Sequence, residues 1–92
     1  MDVEFEITYH KKVLEEDIPL LSTTGKLKIQ SAIEDKLTEH PDVFGKPLRR
    51  SLKGYRKLRV GDYRIIFRIA GQEVLIFGIL HRSVVYQIME NR

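Results

Sequence analysis

A chain of 92 residues without cysteine, 42% of them hydrophobic, suits one small domain with a single core and excludes disulfides and thiolate zinc sites. No apolar run approaches the roughly 20 residues of a membrane span, and the opening MDVEFEI lacks the basic and apolar regions of a signal peptide, so a cytoplasmic protein is expected. The net charge of +3 hides an asymmetry: residues 1–45 sum to −5 and residues 46–92 to +8, which points to a polyanion-binding surface on the second half.

Val3, Phe5 and Ile7 alternate with Asp2, Glu4 and Glu6, which predicts a half-exposed strand over residues 2–8 whose acidic face protects a sheet edge. A first helix is expected from residue 9 to about residue 16, with Val13 and Leu14 inward. Pro19 fits the start of a further turn better than the interior of that helix. Thr23-Thr24-Gly25 is a break with capping potential. Over residues 26–40, Ile29, Ala32, Ile33 and Leu37 form an amphipathic stripe that belongs to the core. Pro41 ends it. The following PDVFGKP reads as a loop in which Val43 or Phe44 plugs one end of the core.

Residues 46–86 read KPLRRSLKGYRKLRVGDYRIIFRIAGQEVLIFGILHRSVVY. Tight turns at Val60-Gly61-Asp62 and Ala70-Gly71-Gln72 cut this stretch into β-branched and aromatic runs, the pattern of an antiparallel meander. With Gly61-Asp62 central to the first turn, Val60 faces Tyr63, Arg59 faces Arg64, Leu58 faces Ile65 and Lys57 faces Ile66. Leu58, Val60, Tyr63, Ile65, Phe67 and Ile69 then share an apolar face, and Lys57, Arg59, Arg64 and Arg68 share the other. Directly opposed like charges destabilise a hairpin, so Arg59 and Arg64 call for an anion, with phosphate the obvious candidate.

The same count around Gly71-Gln72 places Arg64 opposite Ile79, with His81 two residues further along that face. Leu75, Phe77 and Ile79 would point away from the helices and need cover from a partner chain or the C-terminal segment. Residues 82–89 are expected as a strand end or a short helix; a helix would put Arg82 and Tyr86 on one face. The expected fold is α+β, β-α-α-β-β-β, with an antiparallel sheet packed on two N-terminal helices in one domain over residues 1–92.

LKGYRKLRVGDYRIIFRI followed by VLIFGILHRSVVY resembles the RelE/ParE superfamily of toxin–antitoxin toxins, over nearly the whole chain. The most specific parts are L-R-V-G-D-Y-R and the H-R-x-x-x-Y ending. The resemblance implies a microbial-ribonuclease-like fold, no cofactor, a cognate antitoxin and one of two activities. RelE-type members enter the ribosomal A site and cut mRNA without a metal, whereas ParE-type members inhibit DNA gyrase. On the RelE pattern, Arg64 corresponds to the arginine that holds the scissile phosphate, Arg82 to a late basic residue near the leaving group, and Tyr86 to the tyrosine that orients the nucleotide. Lys57 matches one of two lysines on the second strand. Tyr55-Arg56-Lys57 is one residue shorter than that segment, so the second lysine is absent or replaced by Arg56 or Lys53. His81 stands where related nucleases place a catalytic histidine.

RNA carries its own nucleophile, the 2′-hydroxyl, so such a protein must supply a base, an acid and positive charge. Arg59 and Arg64 suit charge stabilisation. Lys57 would take the proton if neighbouring cations favour its neutral form, and His81 is the natural donor to the leaving group. Arg82 would neutralise the developing oxyanion, and Tyr86 would stack on or hydrogen-bond to the nucleotide. Arg49, Arg50 and Lys53 read as contacts to backbone phosphates, and Arg56 and Arg68 as general electrostatics. His10, His40 and His81 lack metal-ligand spacing. The expected activity is therefore ribosome-dependent, metal-independent mRNA cleavage, with mRNA, ribosomal RNA and an antitoxin as partners; the antitoxin would cover Leu75, Phe77 and Ile79. The alternative is a gyrase-binding toxin without nuclease chemistry.

Overall fold

The computed structural model describes residues 4–92 and contains one five-stranded sheet, in the order β1-β5-β4-β3-β2. The strands are β1 (Glu6–Tyr9), β2 (Lys46–Pro47), β3 (Arg56–Val60), β4 (Tyr63–Ala70) and β5 (Glu73–His81); the helices are α1 (Thr23–Ala32), α2 (Pro41–Phe44) and α3 (Val85–Met89). The α+β class stands as expected. The sheet itself is mixed, because β1 lies parallel to β5 while the other pairings are antiparallel. The acidic first strand does occupy a sheet edge, although Asp2 and Val3 lie outside the described residues. No helix among the described residues is long and apolar enough to cross a membrane.

The first helical stretch winds as a π-type segment (Val13–Asp17) and closes with a 3-10 turn (Ile18–Leu20) that contains Pro19. Val13 is buried as expected, but Leu14 is 55% exposed and Asp17 takes the second inward position. Residues four apart share a helical face and adjacent ones do not. Ser22, rather than either threonine, caps α1, accepting the Gly25 N–H at 3.0 Å. Ile29, Ile33 and Leu37 are buried at four-residue spacing, and the helix widens to π-type over Ile33–Leu37, a geometry that keeps such a spacing on one face.

Pro41 does more than end that helix. It opens α2 in the first-turn position that tolerates its missing N–H, and it is itself buried. The expected plug is not formed by Val43 or Phe44, which are 69% and 42% exposed. Pro41 and Gly45 close the core instead, and a Cβ on Gly45 would collide with the Phe67 ring. The segment expected as a plain loop thus holds a helical turn and the whole of β2.

The β3–β4 register is the expected one, from Val60↔Tyr63 through Arg59↔Arg64 to Lys57↔Ile66. The β4–β5 pairing also begins as expected, from Ala70↔Glu73 to Phe67↔Ile76, and then slips by one residue to Ile66↔Gly78, Ile65↔Ile79, Arg64↔Leu80 and Tyr63↔His81. Phe77 is the extra residue of a β-bulge, and such a bulge reverses the facing of every later side chain. Arg64 therefore lies opposite Leu80, not Ile79. Ile79 turns into the helix-side core with Val13, Ile29, Ile65 and Phe67 instead of facing away. His81 joins Tyr63 rather than sharing a face with Arg64. Gly78 suits its position, since a Cβ there would press on the Met89 sulfur at 3.0 Å.

A second cluster covers the opposite sheet face, where Leu48, Leu52, Val85 and Met89 pack on Ile66 and Leu80. Of the three residues expected to need cover, Phe77 is reached by the C-terminal segment and residues 48–52 at the margin of this cluster, while Ile79 lies in the other core. Leu75 and Phe77 are half-buried, with Tyr55 edge-on to Phe77 at 5.2 Å.

A buried ion pair holds the bulge. Arg92 donates to both carboxylate oxygens of Asp17 at 2.7 Å, and their side chains are 8% and 3% exposed. Asp17 also accepts the Ile79 N–H at 2.9 Å, while Arg92 donates to the Phe77 carbonyl at 2.9 Å. The hydrogen bond to Asp17 raises the Arg92 pKa above its ordinary value, against the opposing effect of burial. Removing one member of such a pair strands the other without solvent. Arg92→Ala is accordingly expected to cost about 3–5 kcal/mol in urea unfolding. Asp17→Asn, which can still accept the Ile79 N–H, should cost less. Equal and negligible losses in both variants would contradict this account of the bulge.

Candidate active site

On the sheet face away from α1, a groove of about 580 Å³ opens between the 47–51 segment and α3. Arg49, Arg50 and Ser51 form one wall, Tyr86 and Glu90 the other, and Lys57 lines it from β3. The period of the strand brings Lys57 to this face, because Leu58 beside it points into the helix-side core. Tyr86 is 44% exposed, and Glu90 follows it by one helical turn, its N–H donating to the Tyr86 carbonyl at 3.0 Å. Ser51 Oγ donates to Glu90 Oε1 at 2.6 Å and ties the two walls together.

Arg50 is strained. Its φ of 57° lies in the left-handed region and it is the one non-glycine residue with positive φ among those described; for an L-residue that conformation costs about 1–2 kcal/mol. Leu52, 3% exposed two residues later, anchors the turn that enforces it. Strain of this kind concentrates at functional positions.

A second cleft, of about 330 Å³, adjoins the groove through Lys57 and is lined also by Lys36, Phe44, Lys46, Arg59 and Arg64. Arg59 and Arg64 are directly opposed, as expected. Arg64 Nη1 donates to the carbonyls of Gly61 and Tyr63 at 3.0 and 2.9 Å, which fixes its guanidinium at the turn. Among the described residues, no carboxylate stands within ion-pair distance of Lys57, Arg59 or Arg64.

The fold thus gathers Lys57, Arg64 and Tyr86 with Arg49, Arg50 and Arg59 along one strip, and leaves the other candidates elsewhere. His81 stacks edge-on against Tyr63 at 5.9 Å, its Nδ1 2.7 Å from Ser83 Oγ. It lines a different cavity, about 440 Å³ in volume, together with Lys12, Asp17 and Arg92. Arg82 sits in the turn before α3, so it does not share a helical face with Tyr86; its Nε lies 3.9 Å from Asp62. Arg56 alternates with Lys57 onto the helix side, where its guanidinium donates to the Gly45 carbonyl at 3.0 Å and secures the α2 loop. Arg68 holds its guanidinium 6.0 Å from the Tyr55 ring centroid, and exposed Lys53 lines neither groove nor cleft.

Sequence reasoning missed Glu90, Ser51, Lys36 and Lys46. Glu90 was accessible in principle, because Tyr86 and Glu90 stand four apart once residues 85–89 are helical. The others depend on pairings between distant segments.

The profile of the family described as "ParE toxin of type II toxin-antitoxin system, parDE" matches residues 11–86. Two curated proteins of Mycobacterium tuberculosis (strain ATCC 25618 / H37Rv) are similar. Toxin RelG is 40% identical over 53 residues, covering 55% of this chain and 61% of RelG. Toxin RelE is 39% identical over 54 residues, covering 56% of each. The match therefore spans between half and two thirds of those relatives. Among solved structures, the toxin–antitoxin complex RelBE2 from Mycobacterium tuberculosis aligns with a TM-score of 0.73 and 29% identity, covering 87% of this chain and 100% of that one.

The strain at Arg50 yields a prediction that separates backbone from charge. Arg50→Gly relieves the left-handed conformation but adds unfolded-state freedom, so its stability should equal the parent's or exceed it by up to about 1 kcal/mol. Arg50→Ala keeps the strain and should not be stabilised. Both lose the same groove cation, so the difference between them isolates the backbone. A stability loss in Arg50→Gly comparable to that of a core substitution would contradict the assignment of strain.

Proposed function

Because the chain belongs to the ParE toxin family of type II toxin–antitoxin systems, we propose that it is a toxin that cleaves mRNA in the ribosomal A site and is neutralised by a cognate antitoxin. The position of Lys57 carries this reading. It lines the groove that holds Tyr86 and Glu90, and also the cleft that holds Arg59 and Arg64. A lysine, a carboxylate, an aromatic hydroxyl and two guanidiniums therefore border one path for a phosphodiester.

The chemistry follows from those groups. The 2′-oxygen attacks the adjacent phosphorus; the new O2′–P bond forms as the P–O5′ bond breaks, leaving a 2′,3′-cyclic phosphate and a 5′-hydroxyl. Glu90 is the groove's carboxylate and takes the 2′-proton. With Glu90 as base and His81 in another cavity, Lys57 changes from the expected base to the acid that gives the proton to the departing O5′. Arg64 and Arg59 stabilise charge on the non-bridging oxygens, and Tyr86 offers its ring to the nucleotide. His81 faces the other cavity and is left out of this scheme, and so is Arg82, which lines neither the groove nor the cleft. The antitoxin would be an acidic segment laid over the basic half of the chain, a role supported by the toxin–antitoxin pairing in the structurally similar complex.

One observation favours the gyrase-binding alternative: the separation of His81 from Arg64 removes a histidine from the expected nuclease set. Cleavage of a defined mRNA on ribosomes with an empty A site, with gyrase supercoiling run in parallel, decides between the two. The nuclease should give cuts in the A-site codon with a cyclic phosphate end. Arg64→Ala should lower the rate by about 10²–10³-fold, the usual effect of deleting a transition-state donor, whereas His81→Ala should keep most activity. Blocked supercoiling without cleavage would overturn the proposal.

A further inference from the structure

The cleft beside the groove reaches a place that the cleavage scheme does not use. β2 pairs with β3 only at Lys46↔Lys57 and Pro47↔Arg56, so the outer side of β3 beyond Lys57 has no strand partner among the described residues. The cleft opens along that edge. Lys36 enters it from the helix layer, Phe44 from the end of α2 and Lys46 from β2, to meet Lys57, Arg59 and Arg64. Five cations share about 330 Å³, and no carboxylate among the described residues lines it. Like charges gathered so closely repel one another and favour a bound anion.

Phe44 adds a second requirement. It is 42% exposed although Pro41 beside it is buried, and the Lys36 ammonium lies 5.6 Å from its ring centroid. A large apolar ring held at the surface among cations matches the chemistry of an unpaired nucleotide, which presents a phosphate and a flat base together. An acidic peptide would satisfy the cations, but continuity through Lys57 with a groove already suited to a phosphodiester favours a nucleic-acid strand.

We propose that this cleft is a second nucleotide subsite, in which Phe44 stacks on a base of single-stranded RNA while Lys36 and Lys46 hold the attached phosphate. The subsite rests on the nuclease reading and adds the course of the strand: from the Tyr86 groove across Lys57 and around the free edge of β3 toward the helix layer. Phe44 and Lys36 take no part in bond breaking and serve to position the strand.

The test uses the full chain and a fluorescent 2′-O-methyl oligoribonucleotide, which lacks the nucleophile and stays intact. Phe44→Leu should weaken binding by about 5- to 150-fold, the range for loss of one stacked base, and Phe44→Trp should restore it. Lys36→Ala should lower the slope of log K against log salt by about 0.7, the value for one phosphate contact on a single strand. On programmed ribosomes, Phe44→Leu should raise KM while leaving kcat near the parent's. If the parent cleaves mRNA and Phe44→Leu equals it in both binding and KM, the subsite is wrong while the nuclease reading stands. A parent chain that neither binds nor cleaves RNA overturns both. Loss of binding to an acidic polyglutamate probe, with RNA binding unchanged in Phe44→Leu, would assign the cleft to a protein partner and overturn the subsite.

Discussion

Two backbone groups beside Phe77 determine how the second half of the chain is displayed. The bulge takes the Phe77 carbonyl and the Ile79 N–H out of simple strand pairing, and buried polar groups of this kind must find partners. Arg92 and Asp17 provide them, bound to each other through two charge-assisted hydrogen bonds. A buried ion pair adds little net stability over a well-packed apolar contact, so its main consequence here is register. It fixes Gly78 beneath Met89, Ile79 inward, Leu80 toward α3 and His81 beside Tyr63. It also seats the end of the helix that brings Tyr86 and Glu90 to the groove.

That dependence explains what was legible in the sequence. The β3–β4 hairpin could be read residue by residue, because its two-residue turn sets the register and nothing interrupts the alternation before Phe67. The opposed arginines, and with them the centre of the candidate site, followed directly. The bulge could not be read by counting, since an extra residue in an apolar strand leaves its composition unchanged. Gly78 in mid-strand was the one local signal. One unregistered residue was enough to carry His81 away from Arg64 and to turn Ile79 from an exposed contact into core.

The helical half was legible where one face is plainly apolar and obscure where polar residues are buried. Ile29, Ile33 and Leu37 declared themselves by spacing. Asp17 did not, because a carboxylate inside the core is expected only when its partner is known, and Arg92 lies 75 residues away. At the PDVF turn, hydrophobicity pointed to Val43 and Phe44, while close approach of backbone to Phe67 made Gly45 and Pro41 the buried pair. The sequence asymmetry of −5 and +8 becomes, in space, a basic strip that runs from Arg50 through Lys57 to Arg64, joined at its end by Lys36 from the acidic half.

The proposed RNA chemistry belongs to the Lys57 strip and not to the His81 cavity. An NMR titration of the labelled protein with a short RNA carrying a single 2′-deoxy substitution at the scissile position addresses it most directly. The account predicts concerted shifts at Arg50, Lys57, Arg64, Tyr86 and Glu90, with the imidazole signals of His81 unmoved. Shifts centred on His81 and Tyr63, with Lys57 and Tyr86 silent, would contradict it and move the site to the other side of α3.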